Sequence, residues 1–125
     1  MKGLFYRLSG WDKLLERFKA DNEPEGNRFK FKTIAVGVVR YRRCATVIAS
    51  SQGLYLMVKV PLTSGNPPIL IPWREIKKIQ KSWEPYIGKC IMLSIGEPEI
   101  GIIKLPIDVF NSTRPYLDPE VVQIT

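Results

Sequence analysis

The sequence predicts a mainly β fold, a small antiparallel barrel or sandwich of about seven strands, with an amphipathic helix before it and a short helix after it. Three observations predict this class. Apolar segments of strand length recur at hairpin spacing, one helical apolar stripe lies near the N-terminus, and strands and helices do not alternate as they do in parallel sheets. The 125 residues fit a single domain. Within it we expect a helical segment over 1–26, a β core over 28–117 and a tail over 118–125.

The first predicted element is an amphipathic helix. Ser9 is placed as its N-cap, and Asp12 follows three residues later, where a carboxylate favours the positive end of a helix. The apolar stripe has the spacing i, i+3, i+4 and i+7, and its members are Trp11, Leu14, Leu15 and Phe18. Turn-forming residues over 21–27 end the helix. The stripe is expected to pack on the sheet or on a second subunit, and an interfacial position on a membrane is the alternative.

The first strand is predicted from a period-two pattern. Basic and aromatic residues alternate over residues 28–32. Successive side chains of a strand point to opposite faces, so Phe29 and Phe31 are expected to face the core while the three cations face solvent.

The next segments are predicted from continuous apolar runs. Residues 34–39 and 44–49 are expected to be buried strands, with residues 40–43 as a turn or exposed junction between them. Residues 50–53 form a tight hairpin connection into a strand over 54–60, which should pair antiparallel with the strand before it.

The second half of the chain continues the β pattern. Residues 63–68 are predicted to form a loop, because two consecutive prolines cannot donate to a ladder. Residues 73–76 form a corner turn, and a closing helix is expected over 107–114 with Pro106 at its first position. The remaining predicted strands are 69–71, an edge strand over 77–83 with lysines facing water, and a hairpin of 89–95 and 100–105.

Two stretches carry a resemblance to known domains. Residues 53–56 read Gly-Leu-Tyr-Leu, and residues 67–76 read Pro-Pro-Ile-Leu-Ile-Pro-Trp-Arg-Glu-Ile, followed by paired strands and a final helix. With the Ser-Gly-Trp stretch at 9–11 and its leucine-rich helix, the chain resembles an uncharacterised bacterial family of pleckstrin-homology-like and GRAM-like domains, chiefly over residues 28–117. The resemblance implies a fold and no particular ligand.

Positive charge is concentrated in the middle of the chain. The formal net charge is +7, and residues 26–81 carry eleven basic residues against one acidic residue. Pleckstrin-homology domains that hold phosphoinositides use basic residues across their first hairpin, so the candidate anion-binding residues are Lys32, Arg40, Arg42 and Arg43. They can hold a phosphate only if they converge. The alternative is a set of solvated charges at a turn, and the glycine-rich, lysine-dense first loop of lipid-binding members is missing here.

A binding or interaction module is the leading functional interpretation. Its partner would be another protein or a second copy of the chain, and the candidate interaction surface consists of Trp11, Leu15, Phe18, Trp73 and Trp83. The alternative is peripheral binding to anionic membrane lipid through the basic segment 28–81. Nucleic acid is disfavoured because Phe29 and Phe31 are predicted to point away from the neighbouring cations. No small-molecule substrate is inferred.

No catalytic, metal-binding or cofactor-binding residue is predicted. The chain has no histidine, the commonest general base and metal ligand. Cys44 and Cys90 lie in apolar runs and are expected to be buried, reduced thiols. Acidic pairs near residues 97–99 and 118–120 lie in surface turns, which lack a cleft to perturb a carboxyl pKa. The chain is therefore not expected to be an enzyme.

The expected location is the cytoplasm. No apolar segment reaches the roughly 20 residues of a membrane span, and no signal-peptide pattern follows Lys2. A peripheral position at the inner face of the membrane accompanies the lipid-binding alternative.

Overall fold

The structure, a computed structural model, describes residues 9–59 and 66–122. The helices there are α1 (Trp11–Phe18) and α2 (Ile107–Asn111), and with eight and five residues neither is long enough to cross a membrane. The strands are β1 (Gly26–Val36), β2 (Val39–Ser50), β3 (Gly53–Val58), β4 (Asn66–Ile71), β5 (Ile76–Glu84), β6 (Gly88–Ile95) and β7 (Gly101–Pro106). Short 3₁₀ turns occupy Trp73–Glu75 and Arg114–Tyr116. The predicted mainly β class with flanking helices is confirmed.

All seven strands belong to one antiparallel sheet in the order β4-β3-β2-β1-β7-β6-β5. The sheet curls into a half-barrel, and the first and last strands meet in its middle, where Ala35 and Val36 of β1 pair with Lys104 and Ile103 of β7. One large hydrophobic core fills the concave side, and both helices contribute side chains to it. The curl thus leaves two rims, formed by the strand ends, on which functional side chains can lie.

Helix α1 packs its apolar stripe into the half-barrel. Trp11 and Leu14 are fully buried, Phe18 is 7% exposed, and Leu15 is half-buried against the core. The indole Nε1 of Trp11 donates a hydrogen bond to the carbonyl oxygen of Pro67 at 2.8 Å. The open concave side of a half-barrel needs an apolar cover, which this stripe supplies. Trp11 and Phe18 are therefore not available to a partner, and Leu15 is only partly available. This corrects the prediction that all three lie on an interaction surface.

Helix α1 also begins one residue later than predicted. Gly10 is its N-cap, with a φ of 81° in the left-handed region that favours glycine. The hydroxyl of Ser9, the predicted N-cap, accepts a hydrogen bond from the backbone N–H of Trp11 at 3.1 Å. Ser9 thus still satisfies one of the free amides at the helix start.

Strand β1 contains a bulge that turns Phe31 outward. The pairing with β2 shifts between Phe29 and Lys32 and again between Lys32 and Ile34, and Phe31 has a φ of 57°. Because the irregularity breaks the alternation of side chains, Phe29 packs against the core while Phe31 is 77% exposed. The predicted inward orientation is therefore confirmed for Phe29 and wrong for Phe31.

The turn between β1 and β2 lies at Gly37 and Val38, earlier than predicted. Gly37 has a φ of 59°, and a Cβ atom there would lie 2.5 Å from a backbone oxygen, so only glycine fits. Residues 40–43 consequently belong to strand β2 and not to a junction. Within that strand Arg40 and Arg42 are exposed on the same face.

The two edges of the sheet differ in how they are covered. Strand β4 contains Pro67 and Pro68, which were predicted to lie in a loop but are tolerated because this is an edge strand. The residues directly after α1 cover that edge, since the N–H of Ala20 donates to the carbonyl oxygen of Pro68 at 3.1 Å and Lys19 forms a β-bridge with Ile69. Strand β5 forms the other edge, as predicted, and no further strand lies beside it in the described part of the chain.

The closing helix is shorter than predicted. Helix α2 ends at Asn111, and Pro106 is its N-cap and not its first helical residue. The hydroxyls of Ser112 and Thr113 each donate a hydrogen bond of 2.6 Å to a carbonyl oxygen of the helix, and such local bonds favour its end. Beyond it, residues 121–122 pack against the core, so the predicted tail contributes to the β domain.

Candidate functional site

Large apolar side chains are exposed at one end of the half-barrel, where β5 turns into β6 and β7 runs into α2. We name this group the aromatic rim, and its members are Phe31 (77% exposed), Trp83 (63%), Tyr86 (63%) and Ile107 (40%). Apolar side chains of this size are usually buried in globular domains. Where such side chains are exposed together, they commonly mark interaction sites.

The bulge of β1 and the start of α2 bring two rim residues to the same place. Lys32, which follows Phe31, binds the side chain of Asp108, which follows Ile107, with an Nζ–Oδ2 distance of 2.6 Å. This bond joins β1 to α2 across the end of β7. Phe31 and Ile107 therefore flank one ion pair.

The β5–β6 hairpin brings the other two rim residues to this end. Ile107 and Lys89 line the same cavity, and Lys89 is paired with Trp83 across the hairpin. Tyr86 lies in the turn that joins the two strands. The aromatic rim thus combines residues of β1, α2 and the β5–β6 hairpin.

Tyr86 contacts two arginines of β2. The guanidinium carbon of Arg42 lies 3.8 Å from the centre of the Tyr86 ring, and that of Arg40 lies 5.6 Å from it. Tyr86 has a φ of 70°, in the left-handed region where few non-glycine residues occur. This turn conformation holds the ring against the outer face of β2, where the cations are attracted to its π face.

The predicted anion-binding residues are divided between two places. Lys32 is bound to a carboxylate of α2, and Arg40 forms an ion pair with Glu84 at 3.6 Å. Arg42 joins Arg40 at the Tyr86 ring, as the strand spacing predicts. Arg43 has a φ of 56°, and its side chain pairs with no carboxylate of residues 9–59 and 66–122. Arg42 and Arg43 therefore keep charge available for a ligand, and the other two are largely neutralised within the chain.

Carboxylates near the aromatic rim are already paired. Glu84 binds Arg40 at 3.6 Å and Lys104 at 3.5 Å, and Asp108 binds Lys32. Around the rim, six cations lack a carboxylate partner within the described ranges, and these are Lys30, Arg42, Arg43, Lys81, Lys89 and Arg114. The rim thus combines exposed apolar surface with an excess of positive charge.

A cavity of about 540 Å³, which we name the rim cavity, opens beside the aromatic rim. Its charged lining consists of Lys81, Lys89 and Arg114, and its apolar lining includes Ile91, Ile107 and Val122. Among the residues that the structure describes, no carboxylate lines it. No single segment of the sequence indicates this set, because its cations come from β5, β6 and the turn after α2. The hairpin pairing could have joined the two lysines, but no local signal placed Arg114 beside them.

The two remaining residues of the predicted interaction surface have different surroundings. The indole Nε1 of Trp73 donates a hydrogen bond to the carbonyl oxygen of Ser50 at 2.7 Å, and its ring stacks on Tyr116 with centroids 5.2 Å apart. Trp73 is therefore a corner residue that serves the fold. Trp83 keeps 63% of its surface exposed and remains available to a partner.

The two cysteines are free thiols. Cys90 is buried and Cys44 is half-buried, so the predicted burial is complete for the first and partial for the second. Burial raises the pKa of both thiols, which favours the unreactive protonated form. Within residues 9–59 and 66–122, no three side chains of the types that bind metals are grouped as ligands.

We predict that the ion pair between Lys32 and Asp108 makes a small, pH-dependent contribution to the stability of the fold. The hydrogen bond from Lys32 lowers the pKa of the Asp108 carboxyl below its usual value. A carboxyl whose pKa is lower in the folded state stabilises that state above the unfolded-state pKa, and this stabilisation is lost as the pH falls through the folded-state pKa. Because the side chain of Asp108 is 56% exposed, we expect Asp108→Asn to cost less than about 1 kcal/mol at neutral pH and almost nothing in strong acid. Urea unfolding at both pH values measures this, and an equal cost at both would contradict it.

The chain matches no known protein-family model and no curated protein.

Proposed function

We propose that the chain is a non-catalytic, pleckstrin-homology-like domain that binds peripherally to anionic membrane surfaces through its aromatic rim. The observation that carries this proposal is the exposure of four large apolar side chains beside cations without carboxylate partners. The seven antiparallel strands followed by a short helix support the domain type that the sequence resembles. Lipid binding was the alternative interpretation of the sequence, which assigned the contact to the basic segment 28–81. Here the contact site is the aromatic rim.

The apolar part of the rim suits the boundary between lipid headgroups and acyl chains. Tryptophan and tyrosine have an apolar ring and a polar group, so they favour this boundary, while phenylalanine and isoleucine can enter the acyl region. Phe31 and Trp83, two aromatic side chains of the rim that are 77% and 63% exposed, come from different strands at the same end of the sheet. Because these rings are exposed and are not part of the buried core, they can enter the lipid without disturbing it.

The charged part of the rim suits an anionic surface. Each lysine or arginine close to such a surface contributes about 1 kcal/mol to binding, and the effect decays within a Debye length. Lys30 and Arg43 lie directly beside the bulge of β1, and their side chains have no ion pair among the residues described. Their charge can therefore act on lipid without first breaking a bond within the protein.

A membrane accounts for the rim better than a nucleic acid does. Tyr41 and Tyr55, two further rings of the basic segment 28–81, are 8% and 3% exposed and so cannot stack on bases. Phe31 is exposed beside cations, contrary to the sequence prediction, but its rim neighbour Ile107 is aliphatic and offers no stacking face. An apolar rim of mixed aromatic and aliphatic groups is typical of surfaces that enter lipid.

The test is sedimentation of the chain with vesicles of phosphatidylcholine that contain, or lack, phosphatidylglycerol. We expect binding to the anionic vesicles only, weaker at higher salt because screening weakens exposed charge contacts. Lys30→Glu/Arg43→Glu reverses two charges at the rim and is expected to weaken binding roughly a hundredfold or more at physiological salt.

The matched control is Lys77→Glu/Lys78→Glu. It makes the same change in net charge at the opposite end of β5, about 16 Å along the strand from Trp83. That distance exceeds the Debye length of about 8 Å at physiological salt, so this variant should keep most of the binding. An equal loss in both variants, or no vesicle binding at all, would contradict the proposal. Binding to single-stranded oligonucleotide without vesicle binding would favour a nucleic-acid role instead.

A second candidate function is interaction with a protein, the leading interpretation of the sequence. Within the described ranges no strand pairs with the outer edge of β5, which favours this candidate, because an extended segment can pair with such an edge. Trp83 lies on this strand and is exposed. Salt-insensitive self-association, measured by sedimentation over a dilution series, would support this candidate, because it would indicate an interface that does not depend on exposed charge.

A further inference from the structure

We infer that the rim cavity is a binding site for a phosphomonoester, a phosphate with a single organic substituent. The inference rests on the proposed function in one respect, since the phosphate could belong to a lipid headgroup at the membrane surface. It could equally belong to a small soluble molecule. In both cases the same three cations would hold the phosphate.

The two lysines of the cavity are close neighbours on one face of the sheet. Lys81 is paired with Ile91, and Lys89 lies two residues before Ile91 on the same strand. Their side chains are therefore diagonal neighbours, whose spacing in ordinary sheets is about 7–8 Å. Like charges at this distance repel one another, and no carboxylate of residues 9–59 and 66–122 lines the cavity to offset the repulsion. A dianion bound between them would relieve it.

Arg114 lines the same cavity as this pair, and its side chain is already oriented. Its Nε donates a hydrogen bond of 3.1 Å to Oδ1 of Asn111, and its guanidinium carbon lies 5.0 Å from the centre of the Phe110 ring. Both terminal nitrogens are left without a partner among the described residues. A guanidinium group fixed in this way can donate two parallel hydrogen bonds to a phosphate.

The size and lining of the cavity favour an organic phosphate over the bare ion. A volume of about 540 Å³ lies within the range of roughly 300–1,000 Å³ that is typical of small-molecule sites. Ile91, Ile107 and Val122 give the cavity an apolar side, which can contact the substituent while the cations bind the phosphate. A phosphomonoester is also preferred to a phosphodiester, because it carries about two negative charges near neutral pH and not one.

The experiment compares two kinds of vesicle of equal surface charge. Both contain phosphatidylcholine, and the anionic lipid is phosphatidic acid, a phosphomonoester, or phosphatidylglycerol, a phosphodiester. We expect the chain to bind the phosphatidic acid vesicles about tenfold more tightly. Lys81→Gln/Lys89→Gln should remove this preference. Lys77→Gln/Lys78→Gln, which removes the same amount of charge from β5 outside the cavity, should keep it.

A second experiment, without vesicles, distinguishes the two sources of the phosphate. Calorimetric titration with glycerol 3-phosphate, and with inorganic phosphate for comparison, measures the cavity without a membrane. Binding of glycerol 3-phosphate that Lys81→Gln/Lys89→Gln abolishes would support the cavity even if no vesicle is bound, in which case the proposed membrane function alone fails. Equal binding to both vesicle types together with no binding of glycerol 3-phosphate would overturn the inference and leave the membrane function standing.

Discussion

Replacing Trp11 with alanine is expected to lower the free energy of unfolding by about 3–5 kcal/mol. The ring is fully buried between α1 and the sheet, and its loss would leave a cavity that the surrounding side chains can fill only in part. The substitution also removes the donor to the carbonyl oxygen of Pro67, which lies on the edge strand that α1 covers. A loss of this size is a large share of the roughly 5–15 kcal/mol that stabilises a typical domain. Urea unfolding followed by circular dichroism measures it.

The same substitution at Trp83 is the matched control. Trp83 is 63% exposed, so Trp83→Ala should change stability by no more than about 0.5 kcal/mol. If Trp11→Ala is too unstable to purify, Trp11→Phe keeps a ring in the core and leaves the Pro67 carbonyl without its partner, at a cost of about 1–3 kcal/mol. A Trp11→Ala variant as stable as the unmodified chain would mean that α1 does not close the half-barrel.

The sequence predicted those parts of the fold that depend on local pattern. The stripe of α1, the hairpin between β2 and β3, and the edge position of β5 each follow from spacing or turn chemistry within one segment. The sequence did not distinguish whether the stripe packs against the sheet, a second subunit or a membrane. Periodicity identifies an apolar face but does not identify the surface that covers it.

The orientation of Phe31 could not be predicted in this way. A bulge is set by the pairing of β1 with its neighbours, and shifting the register by one residue moves a side chain to the other face of the sheet. The alternation over residues 28–32 therefore predicted a buried ring where the structure has an exposed one. This single reversal weakens the sequence argument that the aromatic residues point away from the cations, and it supplies the most exposed member of the aromatic rim.

The sequence did not predict which side chains surround the candidate anion-binding residues. Charge density drew attention to Arg40 and Arg42, which do meet at one ring, but that ring belongs to Tyr86, more than forty positions along the chain. The pattern of an edge strand predicts that Lys81 faces water, while Lys89 begins a strand of the last predicted hairpin. Only the three-dimensional contact between the β5–β6 hairpin and the turn after α2 shows that they share a cavity with Arg114.

Replacing Trp83 with alanine is expected to weaken binding to anionic vesicles about tenfold to a hundredfold. Burial of a large apolar side chain contributes about 1.5–3 kcal/mol, and each 1.4 kcal/mol corresponds to a factor of about ten in affinity. Val38→Ala is the control, because Val38 is 79% exposed but lies in the β1–β2 turn and not on the aromatic rim. Its affinity should be unchanged. A Trp83→Ala variant that binds as tightly as the unmodified chain would show that the rim does not enter the lipid.

Tryptophan fluorescence provides an independent measure of the same insertion. Trp11 is buried and Trp73 is stacked at its corner, so lipid can change the surroundings of Trp83 far more than those of the other two. We therefore expect the emission to shift to shorter wavelength when anionic vesicles are added, and the shift to be absent in Trp83→Phe. Retained vesicle binding without any shift would mean that the cations hold the chain at the headgroups while the aromatic rim stays in water. In that case Trp83→Ala should leave the affinity unchanged as well, so the two measurements must agree for the rim to be the membrane contact.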